Sequence, residues 1–252
     1  MNLAQAIQEV KRQGVAPVIA EIKRVIPKLA AEVGRPPDER PASYLAACYR
    51  RGGACGISVV AERQFFGGRP EVDIPAVLRA TPLPLLIKDF IREPAQVDGY
   101  ARLVAEVGEA YLGRVTLLLI AHRAGERLPE LLERIHSYGM QALVETRGPE
   151  DLHRLDGAKP RLVGINNKDI DRLEMGEDTV RITPSFLAPY RELLPGVLVV
   201  SESGHRTPED VRRSLAAGAD AVLAGTAFLL AEDPVAAVAS FVAVGEVGRC
   251  SG

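Results

Sequence analysis

The chain has 252 residues, 47% of them hydrophobic and 25% charged, with a formal net charge of −2 at pH 7. That length suits one α/β-barrel domain spanning residues 1–252, large enough to fold without covalent staples. Lys and Arg form no basic run, which excludes nucleic acid or a membrane surface as the main partner. Three cysteines without CxxC spacing (Cys48, Cys55, Cys250) exclude a disulfide framework and a zinc site.

The opening segment, MNLAQAIQEVKRQG, is amphipathic and predicts a short N-terminal helix with no secretory apolar region. No apolar stretch reaches the ~18 residues of a membrane span, so a cytoplasmic protein is expected. A first strand is predicted over 17–23. It carries Glu21 and Lys23 two apart and therefore on one face, and a long loop, 24–40, follows it. A helix over 41–53 leads to a second strand, 55–60, with Glu62, Phe65 and Phe66 just beyond it. The third strand, 83–90, has Lys88 on the face of Leu86 and Phe90, and Asp89 on the other. Glu62 and Asp89 read as structural carboxylates.

A helix over 93–108 precedes the fourth strand, 115–121, and residues 104–114 read as an insertion. A helical stretch, 125–140, then gives way to the fifth strand, 141–147, with Glu145 on the face of Leu143. The sixth, 161–167, ends at Asn166, followed by Lys168 and a second long loop, 168–179, in which Asp169 reads as loop-ordering. The seventh, 196–203, ends in Glu202 and Ser203-Gly204. A helix capped by Thr207, with Pro208 at its first position and Gly218 past its end, joins it to the eighth, 220–226, which ends in Gly225-Thr226.

Near-continuous apolar strands alternating with helices predict a parallel sheet buried on both faces. Eight of them without a GxGxxG turn predict a closed (β/α)8 TIM barrel, whose active face is built by the loops after the strands. A single Lys or Glu at a strand end is ordinarily a solvated or paired surface charge. Six polar residues at five strand ends (Glu21, Lys23, Lys88, Glu145, Asn166, Glu202) imply a shared mouth, because so many buried charges must pair or do chemistry. Glycine turns bearing hydroxyls after the last two strands, at Ser203-Gly204 and Gly225-Thr226, are where barrels bind phosphate. Phe65, Phe66 and Phe90 offer an apolar wall for an aromatic group. His136 and His153 fall on predicted helices and read as surface residues, whereas His122 and His205 follow strands and could line the mouth. The four show no metal-ligand spacing. Acid–base chemistry on a phosphorylated small molecule, without metal or cofactor, is the expectation.

The segments IAEIKR (19–24), GISVV…FFGG (56–68), KDFI (88–91), GM-x-x-LVE (139–145), GINN-K-D (164–169), SESG (201–204) and AG-T (224–226) resemble the indole-3-glycerol-phosphate synthase family in order through nearly the whole chain. The resemblance implies closure of an indole ring on a carboxyphenylamino-deoxyribulose phosphate, with loss of CO2 and water, in tryptophan-like or secondary metabolism. It implies catalytic roles for Glu21, Lys23, Lys88, Glu145, Asn166 and Glu202. Phosphate contacts fall to Ser203, Gly204, Gly225 and Thr226, and substrate contacts to Phe66, Phe90, Leu118 and Lys168. Lys88, its pKa lowered by burial and by other cations, would protonate the ketose oxygen. Lys23, Glu21 and Glu145 would serve the dehydration, delivering a proton to a hydroxyl and removing one from nitrogen.

Four departures from the family pattern bear on the substrate. Val25-Ile26-Pro27-Lys28-Leu29 replaces a Ser-Pro-Ser type segment, Lys168 stands where an Arg is usual, the segment before Glu21 is short, and loop 24–40 is long. These point to the aromatic end of the substrate or its lid, hence to a specialised paralogue with a modified arene. Two other readings stay open: a non-catalytic barrel that binds a phosphate ligand, and an enzyme performing a different condensation or isomerisation on a ribulose phosphate. A monomer or weak homo-oligomer is expected.

Overall fold

The computed structural model describes residues 1–155, 157–168, 170–172, 180–182 and 184–245. Asp169, Cys250 and most of the loop after the sixth strand lie outside the described residues. Eight strands, β1 (Val18–Ile22), β2 (Gly56–Val60), β3 (Leu85–Lys88), β4 (Val115–Ile120), β5 (Gln141–Thr146), β6 (Leu162–Asn166), β7 (Leu198–Glu202) and β8 (Ala221–Ala224), pair in parallel in chain order. β1 also pairs with β8, which closes the expected barrel. The described helices are α1 (Leu3–Arg12), α2 (Pro27–Val33), α3 (Ala42–Arg51), α4 (Pro70–Ala80), α5 (Pro94–Val107), α6 (Ala121–Ala124), α7 (Leu128–Ser137), α8 (Pro184–Leu193), α9 (Pro208–Ala216), α10 (Thr226–Leu230) and α11 (Pro234–Val242). Among described residues, no helix is long and apolar enough to cross a membrane.

The two-residue period of each strand divides its side chains between two cores. Val18, Ala20, Ile22, Ile57, Val59, Leu85, Ile87, Val163, Ile165 and Val199 face outward into the layer beneath the helices. Ile19, Leu86, Leu118, Leu143, Leu162, Leu198, Val200 and Leu223 fill the barrel interior. Several helices begin where the sequence caps them. The Thr207 hydroxyl accepts the amide of Asp210 while the Asp210 carboxylate accepts the amide of Thr207, and Pro208 takes the first position of α9. Glu93 and Gln96 form the corresponding reciprocal box ahead of α5.

One expectation changes. Helix α2 lies inside the segment expected to be a long loop, opened by Pro27 and stopped by left-handed Gly34 (φ +62°). The N-terminal helix plugs the opposite end of the barrel: Leu3 and Ile7 join the interior core at the strands' N-terminal ends. The Ala4 amide donates to Gln141 Oε1 at 3.3 Å, and Lys11, Arg191 and the Val199 amide all converge on the Asp220 carboxylate. Residues 104–114 are the end of α5 and a 3-10 turn, fixed where Arg114 donates to the carbonyls of Thr81 and Leu83.

His205 borders the mouth beside Ser203 and Gly204, as its position after β7 suggested, with only 3% of the residue exposed. It is buried between β7 and α9, with Nε2 2.8 Å from Ser214 Oγ and 3.3 Å from Ser201 Oγ. Burial pushes its pKa down to about 4 from the ordinary 6.5. The unfolded chain therefore takes up this proton near pH 6.5 and the folded chain only near 4. Stability from this group is complete above pH 6.5, declines as pH falls to about 4 and then levels off, by about 1.4 kcal/mol per unit. Urea midpoints measured at pH 7, 5.5 and 4.5 should fall more steeply for the natural chain than for His205→Gln. Parallel slopes would refute the assignment.

Candidate active site

Inward-facing positions at the C-terminal ends of β1, β3, β5, β6 and β7 bring Glu21, Lys88, Glu145, Asn166 and Glu202 into one buried layer. Lys88 Nζ, 8% exposed as a residue, lies 2.9 Å from Glu202 Oε2, 3.6 Å from Glu21 Oε2 and 3.8 Å from Glu145 Oε2. Lys23 Nζ is 2.7 Å from Glu21 Oε1 and 5.7 Å from the centre of the Phe66 ring. Asn166 Nδ2 donates to Glu145 Oε1 at 3.3 Å. All six residues picked from the strand ends thus meet. Three carboxylates thus lie around Lys88 Nζ.

Two glycines make room for this layer. A Cβ on Gly164 would lie 1.8 Å from Glu202 Oε1 and 2.8 Å from Leu143 Cδ2, so β6 must be bare there for Glu202 to point inward. A Cβ on Gly225 would come within 2.9 Å of Glu21.

Two hollows open off the layer and share Glu21 and Lys23. One, about 350 Å³, is mostly apolar and is lined by Phe66, Phe90, Leu118, Ile120 and Ile170 beside Lys88 and Glu145. The other, about 320 Å³, is bounded by the Ser203-Gly204 and Gly225-Thr226 turns, with Lys168 and Arg206. The expected aromatic and phosphate residues therefore occupy separate sites on opposite sides of the charged layer. Phe65 instead lies half-exposed on the outer face. Ile26 and Lys168 line a third hollow, about 410 Å³, with Lys28, Arg206 and Thr226, beside the Gly225-Thr226 turn. These two departures from the family pattern do not border the apolar hollow.

The turns are held by residues that carried no assignment in the sequence. Asn167, adjacent to Asn166 but facing outward, donates through Nδ2 to Ser201 Oγ at 3.0 Å and to the carbonyls of Glu202 at 2.9 Å and Ser203 at 3.1 Å. This fixes Ser203 in a left-handed conformation (φ +62°) that non-glycine residues seldom adopt. Arg181 in turn donates to the carbonyls of Asn166 and Asn167. Below Lys23, buried Arg24 grips Asp73 with two hydrogen bonds and reaches the carbonyls of Asp38 and Arg40, which pins the segment after α2. Glu62 is structural as expected: its carboxylate accepts the amides of Gln64, Phe65 and Phe66, and so presents Phe66 to the hollow. Asp89 accepts from Tyr100 Oη on α5 at 2.6 Å. His122 pairs with Asp171, while His136 and His153 are exposed. Among described residues, no group of three or more His, Cys, Asp or Glu is placed to hold a metal ion.

A family model described as indole-3-glycerol phosphate synthase matches residues 1–241. Proteins of that name from Methanopyrus kandleri (39% identical, 90% of this chain and 83% of the relative) and Kineococcus radiotolerans (41%, 94% and 80%) are similar to it. So is that of Pyrococcus furiosus, at 35% identity over 96% of each chain. Among solved structures, a chain described as native KDPGal is similar in fold alone, at 18% identity and a TM-score of 0.56 over 92% of this chain and 95% of that one.

Gly164→Ala tests the layer without removing any charged group. The variant should keep the natural far-UV circular dichroism while steady-state turnover falls about 100-fold, the cost of misplacing a reacting group by roughly 1 Å. A variant with natural turnover would show that the inward placement of Glu202 is dispensable.

Proposed function

The chain belongs to the indole-3-glycerol phosphate synthase family and is a ring-closing, decarboxylating lyase of tryptophan biosynthesis, and from this premise we propose how its residues divide the reaction. The substrate is a carboxyphenylamino-deoxyribulose phosphate. Its phosphate sits on the Ser203-Gly204 and Gly225-Thr226 turns, with Lys168 and Arg206 supplying positive charge. The aryl ring enters the apolar hollow between Phe66 and Phe90, against Leu118. The sugar carbons then bridge the two hollows across Glu21 and Lys23, which border both.

Held this way, the ketose carbonyl lies over Lys88. As the carboxylate-bearing arene carbon attacks the carbonyl carbon, Lys88 gives its proton to the carbonyl oxygen, and Glu202 steadies the ammonium from 2.9 Å. The new carbon–carbon bond is followed by loss of CO2, whose bonding electrons return to the ring and restore aromaticity. Lys23, oriented by Glu21, protonates the departing hydroxyl, which leaves as water. Glu145, bordering the aryl hollow and oriented by Asn166, takes the proton released on the nitrogen side of the new five-membered ring. Each proton transfer is worth about 10²–10⁴ in rate. The convergence of three carboxylates on Lys88 between the two hollows carries this reading.

The arene is the ordinary carboxyphenyl group. The residues that depart from the family pattern, Ile26 and Lys168, border the phosphate turns and leave Phe66, Phe90 and Leu118 in place.

Indole fluorescence during steady-state assay with this substrate is the direct test. The natural protein should turn over, and Lys88→Met should lower kcat by at least about 10² with KM little changed. Glu145→Gln and Lys23→Met should slow a step after CO2 release, so that CO2 appears in a burst ahead of the indole product. No turnover by the natural protein, or full turnover by Lys88→Met, would defeat the proposal.

A further inference from the structure

Phe90 separates two spaces. On its inner side is the apolar hollow with Lys88 and Leu118, and on its outer side an open groove lined by Phe65, Arg92, Gln96, Arg123 and Asp171. Its backbone is fixed, since its amide donates to Asp89 Oδ1 at 2.7 Å and its carbonyl accepts from Gln96 Nε2 at 3.1 Å. Arg123 holds the ring itself. Its guanidinium carbon lies 4.1 Å from the ring centre and borders only the outer groove, so it backs the wall without entering the hollow.

Arg123 is oriented from a third loop. Its Nε and Nη2 donate to Asp171 Oδ1 at 3.1 and 2.8 Å, and His122 Nε2 lies 3.0 Å from Asp171 Oδ2. Asp171 belongs to the short 3-10 turn Ile170–Arg172, whose first residue, Ile170, is 6% exposed and forms part of the inner hollow. One ion pair between the loops after β4 and β6 therefore sets two walls: Phe90 by stacking on it, and Ile170 by covalent connection to Asp171. A planar guanidinium suits this task, because it can stack on a ring face while its edge donates to a carboxylate.

We propose that Arg123 and Asp171 act as a positioning pair that fixes the width of the aryl hollow and so its selectivity among ring-substituted substrates. The proposal rests on reading that hollow as the aryl site. Neither residue touches the substrate; both act through Phe90 and Ile170. With Arg123 side-chain exposure of 15% and Asp171 of 45%, substitution at either leaves the cores intact.

Arg123→Met, Arg123→Lys, Asp171→Asn and the Arg123→Met/Asp171→Asn double variant are compared on the ordinary substrate and on one carrying a methyl group on the arene. KM for the ordinary substrate should rise about fivefold in Arg123→Met, with kcat changed less than twofold. The ratio of kcat/KM values should shift toward the methylated substrate, the double variant should be no worse than the more impaired single, and Arg123→Lys should recover part of the loss. Unchanged KM, or equal losses on both substrates tracking a lowered Tm, would overturn the proposal. Calorimetric titration with an unreactive substrate analogue, its ketone reduced to the alcohol, separates the two readings. If the natural chain fails to turn over yet the analogue binds more weakly to Arg123→Met, the pairing stands and the assigned reaction fails. If the analogue binds both proteins equally, the pairing fails.

Discussion

A buried ammonium with three carboxylates around it is the constraint on which the site depends. Lys88 and Lys23 are set against Glu21, Glu145 and Glu202 in a layer nearly cut off from water. Removing either lysine would leave buried carboxylates uncompensated, which costs about 3–5 kcal/mol. The layer persists because the closed ring of strands presents Glu21, Lys88, Glu145 and Glu202 from strands fixed by neighbours on both sides, with Lys23 just past the end of β1. Closure of the barrel and assembly of the charges are in this sense one event. The proposed phosphate site lies outside the layer, on glycine turns and hydroxyls with Lys168 and Arg206 nearby.

Much of this was legible in the sequence because strand geometry has period two. Glu21, Lys88, Glu145 and Glu202 each interrupt an apolar face, and only one side of a parallel strand can be the barrel interior. The flanking elements were legible for comparably local reasons, such as the Thr207-Pro208 start of α9. Helix α2 was not: its seven residues are too few to show a period, and only Pro27 and Gly34 mark it. Asn167 and Arg181 were illegible because they act on backbone carbonyls, so that nothing in their own side-chain types signals which turn they hold. Gly164 looks like any strand glycine until the Glu202 carboxylate is seen in the space its missing Cβ would take.

Ile26 and Lys168 closely follow Lys23 and Asn166 in the chain, yet neither lines the apolar hollow. Each strand hands its chain to a loop that leaves the mouth sideways. β1 and β6 flank β8 and β7, whose ends carry the Ser203-Gly204 and Gly225-Thr226 turns; Ile26 and Lys168 lie on that side, while the loop after β6 runs on to place Ile170 in the apolar hollow. The aryl wall comes from the loops after β2, β3, β4 and β6, where Phe66, Phe90 and Ile170 are placed by Glu62, Arg123 and Asp171.

The aryl wall and the charged layer thus have different supports. The layer is set by strands and by the space at Gly164 and Gly225; the wall is set by carboxylates and a guanidinium that lie outside the layer and make their contacts with loop backbone or with each other. On the proposed positioning role, a change at Arg123 or Asp171 alters the shape of the apolar hollow without altering the charge around Lys88. A change at Gly164 does the reverse. Proton transfer demands the tighter tolerance, because a donor displaced by roughly 1 Å loses most of its effect, whereas an apolar wall displaced by as much loses only contact area. The chain meets the two demands with two kinds of structure: rigid strand positions for the acids and bases, and loop positions held by surface ion pairs for the ring.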